Sequence, residues 1–185
     1  MDLVAWATHE AASHLAEVLP RRWAHVQGVS RRISVTLPLF PAETAEILSA
    51  AAILHDVGYA PSVVRTGFHS LDGAIFLQEK GAPDDVIRLV AHHSCAAAEA
   101  KIRNLSEQLA SFLKPDQDLL DALSWADMTT TPDGKSTGVV DRINEIKARY
   151  AEGSPVSVFI HHASGELVSC VTRVERRLEE ANLQA

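Results

Sequence analysis

The sequence predicts an all-α protein that folds as a single-domain helical bundle over residues 1–185. Apolar residues recur mostly three and four positions apart, which is the spacing of one face of an α-helix. Helix-breaking residues are few, with only 8 prolines and 9 glycines in 185 residues. No internal repeat, low-complexity tract or linker interrupts the pattern. These observations favour one helical domain over several.

The element boundaries follow from prolines and acids that open helices and from glycines that end them. The predicted helices cover about residues 3–20, 21–37, 41–58, 68–80, 83–100, 115–130, 139–150, 155–163 and 165–182. The third is almost wholly apolar over residues 47–54, so we expect it to be central and buried on most sides. Residues 131–135 form a turn signal, and residues 156–160 could be a short strand by composition, although it is too isolated to make a sheet.

Composition excludes several classes of protein. The net charge of −7 does not provide the basic surface of a nucleic-acid-binding protein, so we expect no nucleic acid polymer as a partner. Two cysteines, Cys95 and Cys170, are too few for a disulfide framework and fit a reducing compartment. The N-terminus lacks the basic and apolar stretches of a signal peptide, and no apolar run reaches the ~20 residues that span a bilayer. A cytoplasmic protein without a membrane partner is therefore expected.

One pair of polar residues follows the most hydrophobic helix of the chain. His55 and Asp56 come directly after residues 50–54, where burying an imidazole and a carboxylate is costly unless each finds a partner. A bound cation satisfies both, and the negative end of the helix dipole favours a cation by ~0.3–1 kcal/mol. A nitrogen and an oxygen donor suit iron, manganese, zinc, cobalt or nickel. The pair therefore indicates a metal site at the end of this helix.

Similar residues lie among apolar neighbours on other predicted helices, namely His25, His69, His92, His93 and Asp127. Together with the His-Asp pair, their order over residues 22–131 resembles the HD superfamily of metal-dependent phosphohydrolases. Four segments carry the resemblance: LHDVG at 54–58, FHSLDGA at 68–74, AHHS at 91–94 and WADM at 125–128. The resemblance implies an HD-type helical domain with a metal-site core at 22–131, followed by C-terminal helices at 139–182.

The resemblance also implies the ligands of the metal. In the family, the first histidine, the His-Asp pair and the last aspartate bind one ion, which here implies His25, His55, Asp56 and Asp127. Members with two further histidines often hold a second ion, which implies His69 and His92 as ligands and Asp56 as the bridge. We therefore expect one or two divalent ions, with iron or manganese favoured and zinc, cobalt, nickel or magnesium as alternatives.

Three residues are candidates for catalysis. Asp56 would bridge or orient the attacking water, and Arg22, three residues before His25 on the same helix face, would neutralise a phosphate. His93 could be a ligand, an acid or a neighbour of the site. Arg65 is a second candidate for the phosphate. Relatives that cleave cyclic dinucleotides carry a lysine and a Gly-Tyr-Pro motif, whereas this chain has Tyr59 at the lysine position and lacks the tripeptide, which disfavours that substrate.

The leading hypothesis is hydrolysis of a phosphoester or phosphoanhydride in a small, phosphorylated, nucleotide-like metabolite. Two alternatives remain open. The same ligands could hold a mixed-valence di-iron pair that cleaves C–C or C–P bonds oxidatively, or the chain could be a non-catalytic module that binds a nucleotide or metal. The sequence does not decide between a monomer and a homodimer.

Overall fold

The fold comes from a computed structural model that describes residues 2–184. Over these residues the chain forms ten α-helices and two short 3-10 helices but no β-strand, only an isolated bridge between Thr130 and Ser136. This confirms the all-α prediction. The single domain predicted over 1–185 stays a prediction, and its two terminal residues lie outside the described range.

The α-helices are α1 Leu3–Leu15, α2 Pro20–Ile33, α3 Ala42–Leu54, α4 His69–Glu79, α5 Asp84–His92, α6 Ala96–Ile102, α7 Ser106–Ala110, α8 Gln117–Met128, α9 Val139–Arg149 and α10 Pro155–Glu180. The 3-10 helices are Leu37–Leu39 and Val57–Tyr59. Within the described residues, none of the helices has the length and apolar character needed to cross a membrane.

Helix α3 is the central element, as its composition predicts. It packs against α1, α2, α5 and α8, and its last five residues are all buried. Because a helix that is apolar on all sides loses most from contact with water, its neighbours cover it on each face. His55 forms the C-cap of α3 and Asp56 follows, so the polar pair lies at the buried end of this helix.

The predicted helix over 83–100 is wrong in its length. Helix α5 ends at His92, and the chain turns sharply before α6 begins at Ala96. Ser94 and Cys95 have φ angles of 48° and 62°, in the left-handed region that residues with a Cβ rarely adopt. No glycine or proline marks this turn in the sequence, so local signals did not reveal it. The backbone N–H of Ser94 donates to the hydroxyl oxygen of Ser124 at 2.9 Å, which helps to hold the turn.

The C-terminal prediction needs a second correction. The helices predicted at 155–163 and 165–182 are one helix of 26 residues, α10, and the candidate strand at 156–160 is helical. Gly165 lies inside α10 on the exposed side, so its helix-weakening effect of ~1 kcal/mol is outweighed by the apolar face that packs on α6, α8 and α9. Helix α2 also ends earlier than predicted, and α7 was not predicted.

Candidate metal centre

Two groups of possible metal ligands share one carboxylate at the end of α3. The first group is His25, His55 and Asp56, and the second is Asp56, His69 and His93. Within each group the candidate donor atoms all lie within 4.8 Å of one another. The groups are assembled from α2, α3, α4 and the end of α5, so only the tertiary fold brings them together.

The two oxygens of Asp56 face different groups. Its Oδ2 lies 3.4 Å from Nε2 of His55 and 3.7 Å from Nε2 of His25. Its Oδ1 lies 3.7 Å from Nε2 of His69, and that nitrogen is 3.2 Å from Nε2 of His93. Asp127, near the end of α8, places Oδ1 3.1 Å from Nε2 of His25 and so lies beside the first group without being one of its members. Asp56 is therefore placed as a bridge between the groups.

Backbone carbonyl groups fix the orientation of three of the histidines. The Nδ1 atoms of His25, His55 and His93 lie 3.0, 2.8 and 2.7 Å from the carbonyl oxygens of Thr131, Ala52 and Val90. Because a carbonyl oxygen only accepts, each Nδ1 must carry the proton and donate it. Each neutral ring then presents the lone pair of Nε2 to the centre of the site, as metal-binding histidines do.

The buried Nε2 of His55 tests whether a metal fits. His55 is 0 % exposed, and this nitrogen has no hydrogen-bond partner. A buried polar atom without a partner costs ~1–3 kcal/mol. Around it, the Nε2 lone pairs of His25 and His93 and the carboxylate oxygens of Asp56 converge. A divalent cation satisfies all of them together, so the residues present fit a metal ion.

Charge in the site favours a cation. Burial raises the pKa of Asp56, but Arg22 and His55 outweigh burial and hold that pKa well below its usual range, so the carboxylate is ionised. Burial lowers the pKa of His55, yet the neighbouring Asp56 raises it overall. Burial, and then the neighbouring imidazoles, lower the pKa values of His69 and His93, which keeps these two rings in the neutral form that binds metals.

His92 does not lie where the sequence prediction placed it. Its Nε2 is 2.8 Å from the carbonyl oxygen of Phe112, to which it donates, and it belongs to neither ligand group. His93, the next residue, takes the position beside His69. His93, and not His92, therefore lies among the candidate ligands. His93 follows the last residue of α5, and the turn that begins there directs its side chain into the site.

Arg22 and Tyr59 form one side of the site. Nη1 of Arg22 donates to Oδ2 of Asp56 at 2.8 Å, and its guanidinium lies 4.0 Å above the centre of the Tyr59 ring. That ring stacks on His69, with 4.3 Å between centroids and 13° between planes. Tyr59 therefore supports both a candidate ligand and the arginine predicted to bind phosphate. Arg65 instead pairs with Glu79 at the exposed surface and does not reach the site.

Glycines permit the close approaches that the site requires. A Cβ on Gly58 would lie 1.9 Å from the carbonyl oxygen of His69, so only glycine lets the segment after Asp56 pack on α4. A Cβ on Gly28 would lie 2.5 Å from Cα of Gly134, in the turn after α8. Gly28 therefore allows that turn to pack on α2, where Thr131 reaches His25.

Asp72 holds the loop before α4. Its carboxylate accepts the backbone N–H groups of Arg65, Thr66 and Gly67 at 2.9–3.0 Å and the hydroxyl of Thr66 at 2.8 Å. Because His69 begins the helix that follows, this network fixes the start of α4 and with it the imidazole. The sequence prediction assigned no role to Asp72.

Ligand candidates line a cleft with a cavity volume of about 70 Å³. Arg22, Asp56, His69, His93 and Asp127 form part of its lining. The rest comes largely from α9, α10 and the segment between them, which add Arg142, Arg149, Tyr150 and apolar side chains. The sequence prediction missed these residues, because no motif marks them and they lie beyond the segment that carries the resemblance.

Comparison with known proteins agrees with the geometry. The HD domain family matches residues 22–130, which is more than half of the chain. No curated protein and no solved structure matches. The matched residues include both groups of candidate ligands and the aspartate at the end of α8. The chain belongs to the HD domain family, a superfamily of metal-dependent phosphohydrolases whose domain binds divalent metal ions.

Proposed function

We propose that this protein is a metal-dependent phosphohydrolase that cleaves a phosphoester or phosphoanhydride of a small nucleotide-like metabolite. The observation that carries the proposal is the placement of Asp56, whose two oxygens face two groups of histidines beside Arg22 in one cleft. A carboxylate bridge next to an arginine suits a reaction in which negative charge on phosphorus must be neutralised.

The ligands can be divided between two ions. His25, His55, Asp56 and Asp127 would hold one, and Asp56, His69 and His93 the other. The mixed nitrogen and oxygen donors favour iron or manganese, with zinc, cobalt, nickel or magnesium as alternatives. When bound, such ions supply Lewis acidity at the phosphoryl oxygen and a nucleophile at neutral pH.

The remaining residues hold and orient the phosphate of the substrate and the imidazoles of the candidate ligands. Arg22 keeps one Nη on Asp56, and its other N–H groups are available to the oxygens of a phosphate. Its stacking on Tyr59 fixes the plane of the guanidinium. The carbonyl oxygens of Thr131, Ala52 and Val90 hold the imidazoles, so little reorganisation is needed when substrate binds. In this proposal His93 is a ligand rather than a general acid.

The test begins with protein purified without added metal or chelator. Its metal content per chain is measured, and a broad panel of phosphoesters and phosphoanhydrides is assayed with and without oxygen. We expect hydrolysis that does not depend on oxygen. Oxygen uptake coupled to bond cleavage would instead support the di-iron oxygenase, and tight binding of a nucleotide without turnover would support a regulatory module. Either result would overturn the proposal.

Neighbouring arginines provide a matched pair of variants. Arg22 is in the cleft, whereas Arg21 pairs with Asp133 at the surface, where its side chain is 63 % exposed. We expect Arg22→Gln to lower kcat/KM roughly 10²–10³-fold, as the loss of one donor to a developing charge does. Arg21→Gln should leave kcat/KM within about twofold, because exposed ion pairs contribute little. Equal effects of the two substitutions would contradict the role of Arg22.

A further inference from the structure

The part of the cleft that lies outside the family match has its own polar chemistry. Helix α9 contributes Arg142 and Arg149, and the apolar lining near them includes Ile146, Phe159 and Ile160. The lining is continuous from the candidate metal ligands to these residues of α9 and α10, so one bound molecule could contact both parts of the cleft.

Arg142 is the unusual member of this group, because it is only 5 % exposed. Its Nη1 donates to Oε2 of Glu145, but its Nε is buried and has no hydrogen-bond partner. Arg149, in contrast, contacts both oxygens of Glu145 at 3.2 Å. The fork of a guanidinium is shaped to hold two oxygens of one anion, and Arg142 lines the cleft with one donor still unpaired.

The charges around Arg142 and Arg149 also favour an anion at this place. Glu145 supplies one negative charge to two guanidinium groups, so one positive charge is left over at Arg142 and Arg149. The other acid in this part of the lining, Glu99, already pairs with Arg103 at 2.7 Å. An anionic group of the ligand would therefore meet an uncompensated positive charge and a free donor together.

We propose that Arg142 binds a second anionic group of the substrate, a carboxylate or a phosphate, at a distance from the phosphorus that reacts. This inference rests on the proposed function, in which the first phosphate lies beside Arg22 and the candidate metal ligands. The substrate class is then a phosphorylated metabolite with an apolar body and an anion at each end. Ile146, Phe159 and Ile160 would contact the carbon atoms between the two ends.

The test measures binding with probes that are not hydrolysed. Alkylphosphonates of two to six carbons are compared by calorimetry with ω-carboxyalkylphosphonates of equal length, using the protein as purified with its metal content known. We expect at least one carboxylated probe to bind about tenfold or more tightly than its partner, as a charge-assisted hydrogen bond predicts. Arg142→Gln should abolish that preference, and Arg142→Lys should retain part of it.

Two further variants keep the test decisive if Arg142→Gln does not fold. Glu145→Gln removes the competing carboxylate and should strengthen binding of the carboxylated probe, whereas Arg176→Gln, which removes an exposed arginine of α10, should not change it. Equal binding of all matched probes, or a preference that survives Arg142→Gln, would overturn the inference. Failure to hydrolyse any phosphoester would instead refute the proposed function, and the binding preference would be judged separately.

Discussion

The hydroxyl of Ser94 donates a hydrogen bond of 2.5 Å to Oδ2 of Asp127, and the other oxygen of that carboxylate lies 3.1 Å from Nε2 of His25. The bond joins the turn after α5 to the end of α8. It orients the aspartate that lies beside the first group of candidate ligands, and the same turn places His93 in the second group. A single short segment therefore affects both groups.

Ser94→Gly should weaken metal binding with little change in fold. Glycine tolerates the φ angle of 48° at this position, so the substitution removes the hydroxyl without adding strain. Loss of a hydrogen bond to a metal ligand lowers metal affinity by roughly 10–100-fold. Competition with a chelator would measure the change. Asn104→Gly, at an exposed position with a φ of 58°, is the matched control and should leave the affinity unchanged. Equal affinities for all three proteins would argue against this role of Ser94.

The adjacent histidines should differ sharply in metal content. His93→Asn removes a candidate ligand and should cost the protein its second ion, whereas His92→Asn should retain both ions. His92→Asn should still lose ~0.5–1.5 kcal/mol of stability, because its hydrogen bond to Phe112 is lost. Elemental analysis and chemical unfolding check the two effects separately. Loss of an ion in the His92 variant, with none lost in the His93 variant, would restore the original sequence-based assignment.

Two glycines should respond to alanine in opposite directions. At Gly58 a Cβ would lie 1.9 Å from the carbonyl oxygen of His69, so Gly58→Ala must push α4 away. We expect a loss of ~1–3 kcal/mol or more in the free energy of unfolding, as for other overpacked sites. At Gly165 a Cβ meets nothing within 4 Å, so Gly165→Ala should stabilise α10 by ~0.5–1 kcal/mol.

Thermal and chemical unfolding of both variants check this prediction, and metal content distinguishes its causes. Because α4 carries His69, Gly58→Ala should also lose metal, while Gly165→Ala should retain it. A Gly58→Ala protein with wild-type stability and full metal content would show that the contact between this segment and α4 is not tight in solution.

The ion pair between Asp121 and Arg173 should make stability depend on pH. Burial alone raises the pKa of Asp121, but hydrogen bonds from Arg173, at 2.6 and 2.9 Å, and from Gln117 lower that pKa overall. Because the folded-state pKa of Asp121 lies below the unfolded value of ~3.9, the stabilisation from this ion pair is fully present above about pH 3.9. It is lost as the pH falls through the lowered pKa.

Comparison of the wild type with Asp121→Asn isolates this effect. The difference in free energy of unfolding should be constant near neutral pH and should shrink as the pH falls from about 4 through the lowered pKa, because the carboxylate of the unfolded chain takes up a proton first. Urea unfolding at a series of pH values measures it. A difference that is the same at pH 7 and pH 2 would mean that the carboxylate charge is not the cause.

The all-α class and the position of α3 were readable from the sequence, because the spacing and density of apolar residues decide which faces leave water. The polar pair after α3 was readable for a related reason, since a histidine and an aspartate in that place need a partner. The boundaries of α10 could not be read from the sequence, because packing against three helices outweighed the weak local signal of Gly165.

His92 and His93 show what only the tertiary structure decides. The sequence by itself determined that a helical chain buries a set of histidines and aspartates suited to metal. Which of two adjacent histidines faces the site depends on the turn at Ser94 and Cys95, whose backbone is held by contacts with α8. The place of Arg142 in the cleft likewise depends on how α9 and α10 pack. Both outcomes follow from contacts between residues distant in sequence, which local propensity and spacing do not encode.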